Sequence, residues 1–247
     1  MFLLSTESLK KYGLNRIFYF TKEAGFDGIE LVVDETYDTQ NGPYIKSLSD
    51  QYGLPVTVVK APDKINEKKF VAMINLAQEV GAKTLVLEPP RILDFKALSW
   101  IKKETLRLIK HDEIKIAIIN ASGETILGFL PAHAMGSLLE LRKFGKVCLD
   151  TSRLVAKKAD LLKTLHSLYE QLIHIRLSNV RHSKDYCLPQ EGILPIESFL
   201  DRLKKNGYNQ TVSLVVRPTE LRAGDDEKVM QSLKEAKAFY EKNFLNS

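Results

Sequence analysis

Cysteine is scarce: the chain of 247 residues has two, Cys148 inside an apolar run and Cys187 in a polar stretch, and they form no disulfide framework or zinc-ligand spacing. A reducing compartment fits that usage. No stretch approaches the ~20 consecutive apolar residues of a membrane span. The opening MFLLSTESLKKYG has an apolar run too short for a signal peptide's core and no cationic region before it. A soluble, cytoplasmic protein is expected. Neither G-x-G-x-x-G nor a Walker-type loop occurs, so the common phosphate cradles of doubly wound nucleotide-binding sheets are missing. Low-complexity tracts and linkers are also absent, and residues 1–247 are expected to form one domain. The net charge of +5 and pI near 9.0 would suit an acidic partner. Much of that charge, however, sits in scattered lysine pairs at 68–69, 102–103, 157–158 and 204–205, which read as solvated helix faces.

The sequence is rich instead in one repeated pattern. Apolar, β-branched runs begin at Phe2, Gly28, Pro55, Thr84, Ile114, Val147, Leu172 and Val212. Between them lie stretches with apolar residues spaced three and four apart, as in LNRIFYFTKEAGF, FVAMINLAQEVG, ALSWIKKETLRLIK and IESFLDRLKKNG. Several end at a glycine, among them Gly53, Gly81, Gly145 and Gly207, where a helix can stop in a left-handed turn. Strict alternation of strand and helix with short loops implies a parallel sheet covered by helices. Eight such units predict an α/β fold of one kind, a (β/α)8 TIM barrel with parallel strands; a doubly wound open sheet is the alternative.

In such a barrel, chemistry belongs to the strand carboxyl ends and the loops after them. Reading those ends in order gives Ser5, Glu30, Lys60, Glu88, Asn120, Asp150, Arg176 and Arg217, with Arg153 and Asn179 just beyond their strands. His174 shares the inward parity of Arg176. His111, His133, His166 and His182 show no metal-type spacing and read as structural or solvated.

At these residues the chain resembles the xylose-isomerase-like barrels, a superfamily of sugar and sugar-phosphate isomerases and epimerases that also contains apurinic endonucleases. The matching pieces are AGFDGIEL, LAQEVGAKTLVL, KIAIIN, VCLDTSR, LIHIRLSN and GILPIESFLDRLKKNGYNQTVSLVV, in the family's order along nearly the whole chain. The resemblance implies one or more divalent metals held by carboxylates and imidazoles at the strand ends, but most of those positions differ here. The glutamate before Asn120 is Ile119, the histidine of the LDTxH pattern is Arg153, the HxHLxD pattern reads HIRLSN, and the glutamate of the last strand is Val215. An aspartate-x-histidine pair is matched only by Asp185 to Cys187. Glu30, Asp150 and Asp185 are too few ligands, so no metal and no other cofactor is expected.

Two readings stay open for the cations. Arg153, Arg176, Arg217 and Lys60 either neutralise Glu30, Glu88 and Asp150 in internal salt bridges, or form an anion site in which a guanidinium fork replaces the metal's charge. Glu30 and Asp150 would then be the acid and base of a metal-independent isomerase or epimerase. Lys60, Glu88, Asn120, Arg153, His174, Arg176 and Arg217 would contact the substrate, and Lys60 also admits a Schiff-base role. The alternative is a non-catalytic binding or regulatory module. The expected partners are a small anionic sugar-like ligand and, in a homodimer, a second copy of the chain, rather than a membrane. Nucleic acid is not expected either, because abasic-site cleavage in this superfamily needs the metal cluster.

Overall fold

The structure is a computed structural model that describes residues 1–92, 94, 99–101, 114–127, 129–181 and 184–245. Eight strands close into a parallel barrel: β1 (Phe2–Ser5), β2 (Gly28–Val32), β3 (Val56–Lys60), β4 (Thr84–Leu87), β5 (Lys115–Ile119), β6 (Val147–Asp150), β7 (Leu172–Leu177) and β8 (Thr211–Leu214). Each pairs with its chain neighbours, and Leu3 of β1 closes the ring between Gly28 of β2 and Ser213 of β8. Gly28 has to be glycine-sized, because a Cβ there would lie 2.6 Å from the carbonyl oxygen of Pro55.

Helices α1 (Leu14–Glu23), α2 (Gly42–Tyr52), α3 (Glu67–Glu79), α4 (Leu138–Phe144), α5 (Leu161–Leu168), α6 (Ile196–Lys205) and α7 (Asp226–Tyr240) cover the outside. Their starts are set by side chains that accept the orphan backbone N–H groups, among them Asn41, Asn66, Asp160, Asp225 and the capping box of Ser137 and Glu140. Gly53 and Gly207, read as helix stops, adopt φ of +62° and +72°. The helix expected over ALSWIKKETLRLIK is described only at residues 99–101, and His111 and His182 also lie outside the described residues.

Alternation along the strands divides the apolar side chains into two sets. Phe2, Leu4, Leu85, Leu149, Ile175 and Leu214 join the helices in the large outer core. Leu3, Val58, Val86, Ala117, Ile119, Cys148 and Ile173 form a separate cluster inside the ring. This apolar plug fills the barrel and forms the base on which the charged strand ends rest.

Two small ribbons decorate the carboxyl-end face and were not anticipated. One pairs Thr125–Ile126 with Leu130–Pro131 after β5, and the other pairs Asn179–Arg181 with Lys184–Cys187 after β7. The second matters for the site, because it carries Tyr186 back over the barrel mouth. Among the described residues, no helix is long and apolar enough to cross a membrane. Cys148 and Cys187 are both buried and unbonded to each other.

Candidate functional site

Above the apolar plug the strands place a layer of charge. Glu30 of β2 is fully buried, as is Asp150 at the end of β6, and Arg176 of β7 is 1% exposed between them. Arg176 Nε donates to Glu30 Oε1 at 3.0 Å and Nη1 to Asp150 Oδ2 at 3.4 Å, while Nη2 bonds Glu7, just past β1. Glu30 also accepts from the Ser5 hydroxyl at 3.0 Å, and His174 Nε2 lies 2.8 Å from its other oxygen. Burial raises the Glu30 pKa, but Arg176 and His174 more than reverse this and hold the carboxyl well below its usual range. The same pairing pushes Arg176 further above its ordinary value despite the opposing effect of burial.

A second knot lies beside the first. Arg153 grips Glu88 in two-point fashion, with Nη1 to Oε2 at 2.7 Å and Nη2 to Oε1 at 2.8 Å, and donates to the Asn120 carbonyl at 3.1 Å. Its Nε stands 3.7 Å from Asp150 Oδ2. Lys60 Nζ is 3.1 Å from both Glu88 and Asp63. Burial acts first to raise the Glu88 pKa, but Arg153 and Lys60 outweigh it and depress the group strongly. Burial alone would lower the Lys60 pKa; Glu88 reverses this, and the amine is held above its ordinary value. That is the opposite of what a Schiff-base lysine requires.

Asn120 clamps the Asp150 backbone, donating to its carbonyl at 3.0 Å and accepting from its N–H at 2.7 Å, so its amide is used to join β5 to β6. Asp150 Oδ1 accepts from Ser152 at 2.9 Å and Oδ2 from the Tyr186 hydroxyl at 3.2 Å. Tyr186 is pushed up to about 12, first by burial and then by the charge of Asp150.

Glu30, Lys60, Glu88, Asn120, Asp150, Arg153, His174 and Arg176 therefore converge as the strand-end rule predicts, but on one another. Arg217 stands apart. It lies three residues beyond β8 on the wall of a cleft of about 800 Å³, with Glu7, Lys10, Lys11, Tyr12 and Tyr186 among the other lining residues. Asp185 is exposed, and its neighbour Tyr186 faces inward instead. Among the described residues, Arg153, Arg176 and Lys60 of the barrel mouth are paired with Glu30, Glu88 and Asp150, and Glu7 and Asp63 add carboxylates from the loops. Glu7, Asp63 and Tyr186 lie just past the strand ends or on the unforeseen ribbon. The only signal available for them was their position in carboxyl-end loops.

A divalent ion of the kind implied by the resemblance does not fit these residues. Ile119 and Val215 offer no lone pair, and Glu30 and Asp150 already accept from a guanidinium placed between them. Among the described residues, no group of three or more histidine, cysteine, aspartate or glutamate side chains is arranged to hold a metal ion.

Comparison with known proteins fits this architecture. The family model described as xylose isomerase-like TIM barrel matches residues 18–236. The chain belongs to that family. An uncharacterized protein of Mycobacterium leprae is 21% identical to this xylose isomerase-like barrel, over 96% of each chain. A xylose isomerase domain protein from Alicyclobacillus acidocaldarius superposes with a TM-score of 0.72 over 98% of each chain at 14% identity. A sugar phosphate isomerase/epimerase from Parabacteroides distasonis gives 0.68 over 96% of each chain at 12% identity. At such identities the two structures speak for the fold of this family member alone.

Proposed function

We propose that this xylose isomerase-like barrel is a receptor for a small polyhydroxylated, sugar-like ligand, bound at the carboxyl-end face without a divalent metal and without turnover. The observation that carries the reading is the position of Arg176 between Glu30 and Asp150, the two carboxylates that would otherwise serve as base and acid. A carboxylate that is fully buried, depressed in pKa and already bonded to a guanidinium, a histidine and a serine is a poor acceptor for a substrate proton. The cleft over β1 and β8 supplies room for a monosaccharide-sized molecule, and hydroxyl-rich ligands suit its mixture of Tyr12, Tyr186, Glu7 and cationic side chains. The fold's sugar isomerase and epimerase neighbours support the ligand class by analogy only.

A metal-independent isomerase or epimerase is the second reading. One observation favours it: Tyr186 lines the cleft and its hydroxyl bonds Asp150, a phenol and carboxylate pair through which a proton could pass. The two readings separate in deuterated water. Proton NMR of a sugar and sugar-acid panel incubated with the protein is expected to show saturation transfer to a bound ligand and no deuterium entering any ligand carbon. Deuterium incorporation that disappears in Tyr186→Phe would replace the receptor reading with the catalytic one.

A further inference from the structure

The cations chosen from the sequence to hold an anion, Arg153 and Arg176, are both committed to internal carboxylates. Lys60 is committed in the same way. The cleft beside them carries the fourth of those cations, Arg217, together with Lys10 and Lys11. Lys10 and Lys11 follow the turn after β1, and Arg217 follows β8, so two adjacent strands of the ring bring them to one cleft wall. Among the described residues, none of these three side chains has a carboxylate within salt-bridge distance, whereas Arg16, the other cation of the cleft, is paired with Asp226. The one carboxylate lining the cleft, Glu7, is bonded by Arg176. The cleft's cations outnumber its lining carboxylate; Lys10 also acts on the nearby Asp34 carboxyl, whereas Lys11 and Arg217 have no such neighbour among the described contacts.

The backbone adds an independent observation. Lys11 adopts φ of +85° and Tyr186 φ of +59°, left-handed conformations that cost a side-chain-bearing residue of order 1 kcal/mol or more. Both line this cleft. Arg222, at φ +59°, precedes Ala223 and Gly224 of the cleft wall, and Gly224 N–H donates to the Tyr12 hydroxyl at 2.7 Å. Leu127, Met135 and Lys158 take the same backbone conformation away from this cavity.

We infer that Arg217, Lys10 and Lys11 form an anion subsite that takes the phosphate or carboxylate of a sugar phosphate or sugar acid, with the hydroxylated body of the ligand lying toward Tyr186 and Glu7. This deepens the receptor reading and rests on it for the sugar moiety only. Arg217 supplies the planar fork suited to two-point recognition, and the lysines supply diffuse charge at the rim. Glu7, shared with Arg176, gives the ligand's hydroxyls an acceptor that joins the subsite to the buried network.

Calorimetric titration with D-glucose 6-phosphate, D-gluconate, inorganic phosphate and D-glucose tests the assignment, each at about 10 mM and about 150 mM salt. The ester or the acid is expected to bind more tightly than glucose, more weakly at the higher salt, and in competition with inorganic phosphate; comparing the two shows which anion is preferred. Arg217→Gln is expected to weaken that binding at least tenfold and Lys10→Gln severalfold. Lys46→Gln, on α2 and paired with Asp50, should leave it unchanged. Phosphate binding that depends on Arg217, with no sugar bound, would keep the subsite and overturn the sugar receptor. Glucose bound as tightly as the anions, with no effect of Arg217→Gln, would overturn the subsite and keep the receptor. No heat with any of the four probes would overturn both.

Discussion

Replacing Arg176 with methionine is expected to lower stability by about 3–5 kcal/mol, the usual cost of removing one partner from a buried ion network. For a chain of this length that corresponds to a fall in Tm of about 6–20 °C. Methionine fills much of the arginine volume, so packing loss is not the main cost. What remains is Glu30 and Asp150, both fully buried, facing each other without the guanidinium that now separates and neutralises them. The same substitution in a Glu30→Gln/Asp150→Asn background is expected to cost much less, because the charges it would have stranded are gone. Scanning calorimetry on the single, double and triple variants measures this coupling. Equal costs in both backgrounds would mean that Arg176 acts through its bulk and not its charge. Should the single variant fail to fold, the triple variant still reports, since a network removed as a unit is often replaced at little cost by neutral side chains.

The second large effect concerns acid. Glu30 and Glu88 both have pKa values depressed below the ordinary carboxyl value of 4.5. Such groups contribute stability that is fully present above that ordinary value and is lost as pH falls toward the folded-state value, at about 1.4 kcal/mol for each unit of depression. A Tm plateau from about pH 5 to pH 8, followed by a steep decline below about pH 4.5, is therefore expected. In Glu88→Gln the plateau should sit lower, because Arg153 loses its two-point partner, and the decline below it should be shallower. Exposed carboxylates with modest depression, such as Glu140 and Asp225, add little. A Tm that stays flat from pH 5 to pH 3 in the unmodified protein would contradict the ionised, paired state of the barrel mouth.

The barrel could be read from the sequence because its signal is redundant. Each of the eight apolar runs begins within a residue or so of an observed strand, and the glycine stops at 53 and 207 take the left-handed turn that helix ends need. The two ribbons on the carboxyl-end face gave no such signal: Thr125–Ile126 and Leu130–Pro131 are too short for a period, and Lys184–Cys187 is polar. The composition of the site was legible for a related reason. Parity along β7 places His174 and Arg176 on the same inward side, and both reach Glu30.

The partners of these residues were not legible, since pairing depends on distances between strands far apart in sequence. Arg153 follows Asp150 by three residues, yet its fork closes on Glu88, whose strand lies two places away in the ring. Glu7 and Tyr186 complete the network from loops, where no periodic pattern marks an inward-facing side chain. Asp185 is exposed, and the neighbouring tyrosine is the residue that turns toward Asp150.

A guanidinium, Arg176, lies between the two buried carboxylates that the resemblance would assign to a divalent metal, and metal stoichiometry tests this occupancy. The protein is incubated with excess manganese or zinc, passed through gel filtration, and its bound metal is quantified by elemental mass spectrometry alongside Glu30→Gln and Asp150→Asn. Far less than one ion per chain is expected in all three proteins, with no rise in Tm with either metal. One ion per chain in the unmodified protein, lost in the two carboxylate variants, would contradict that occupancy.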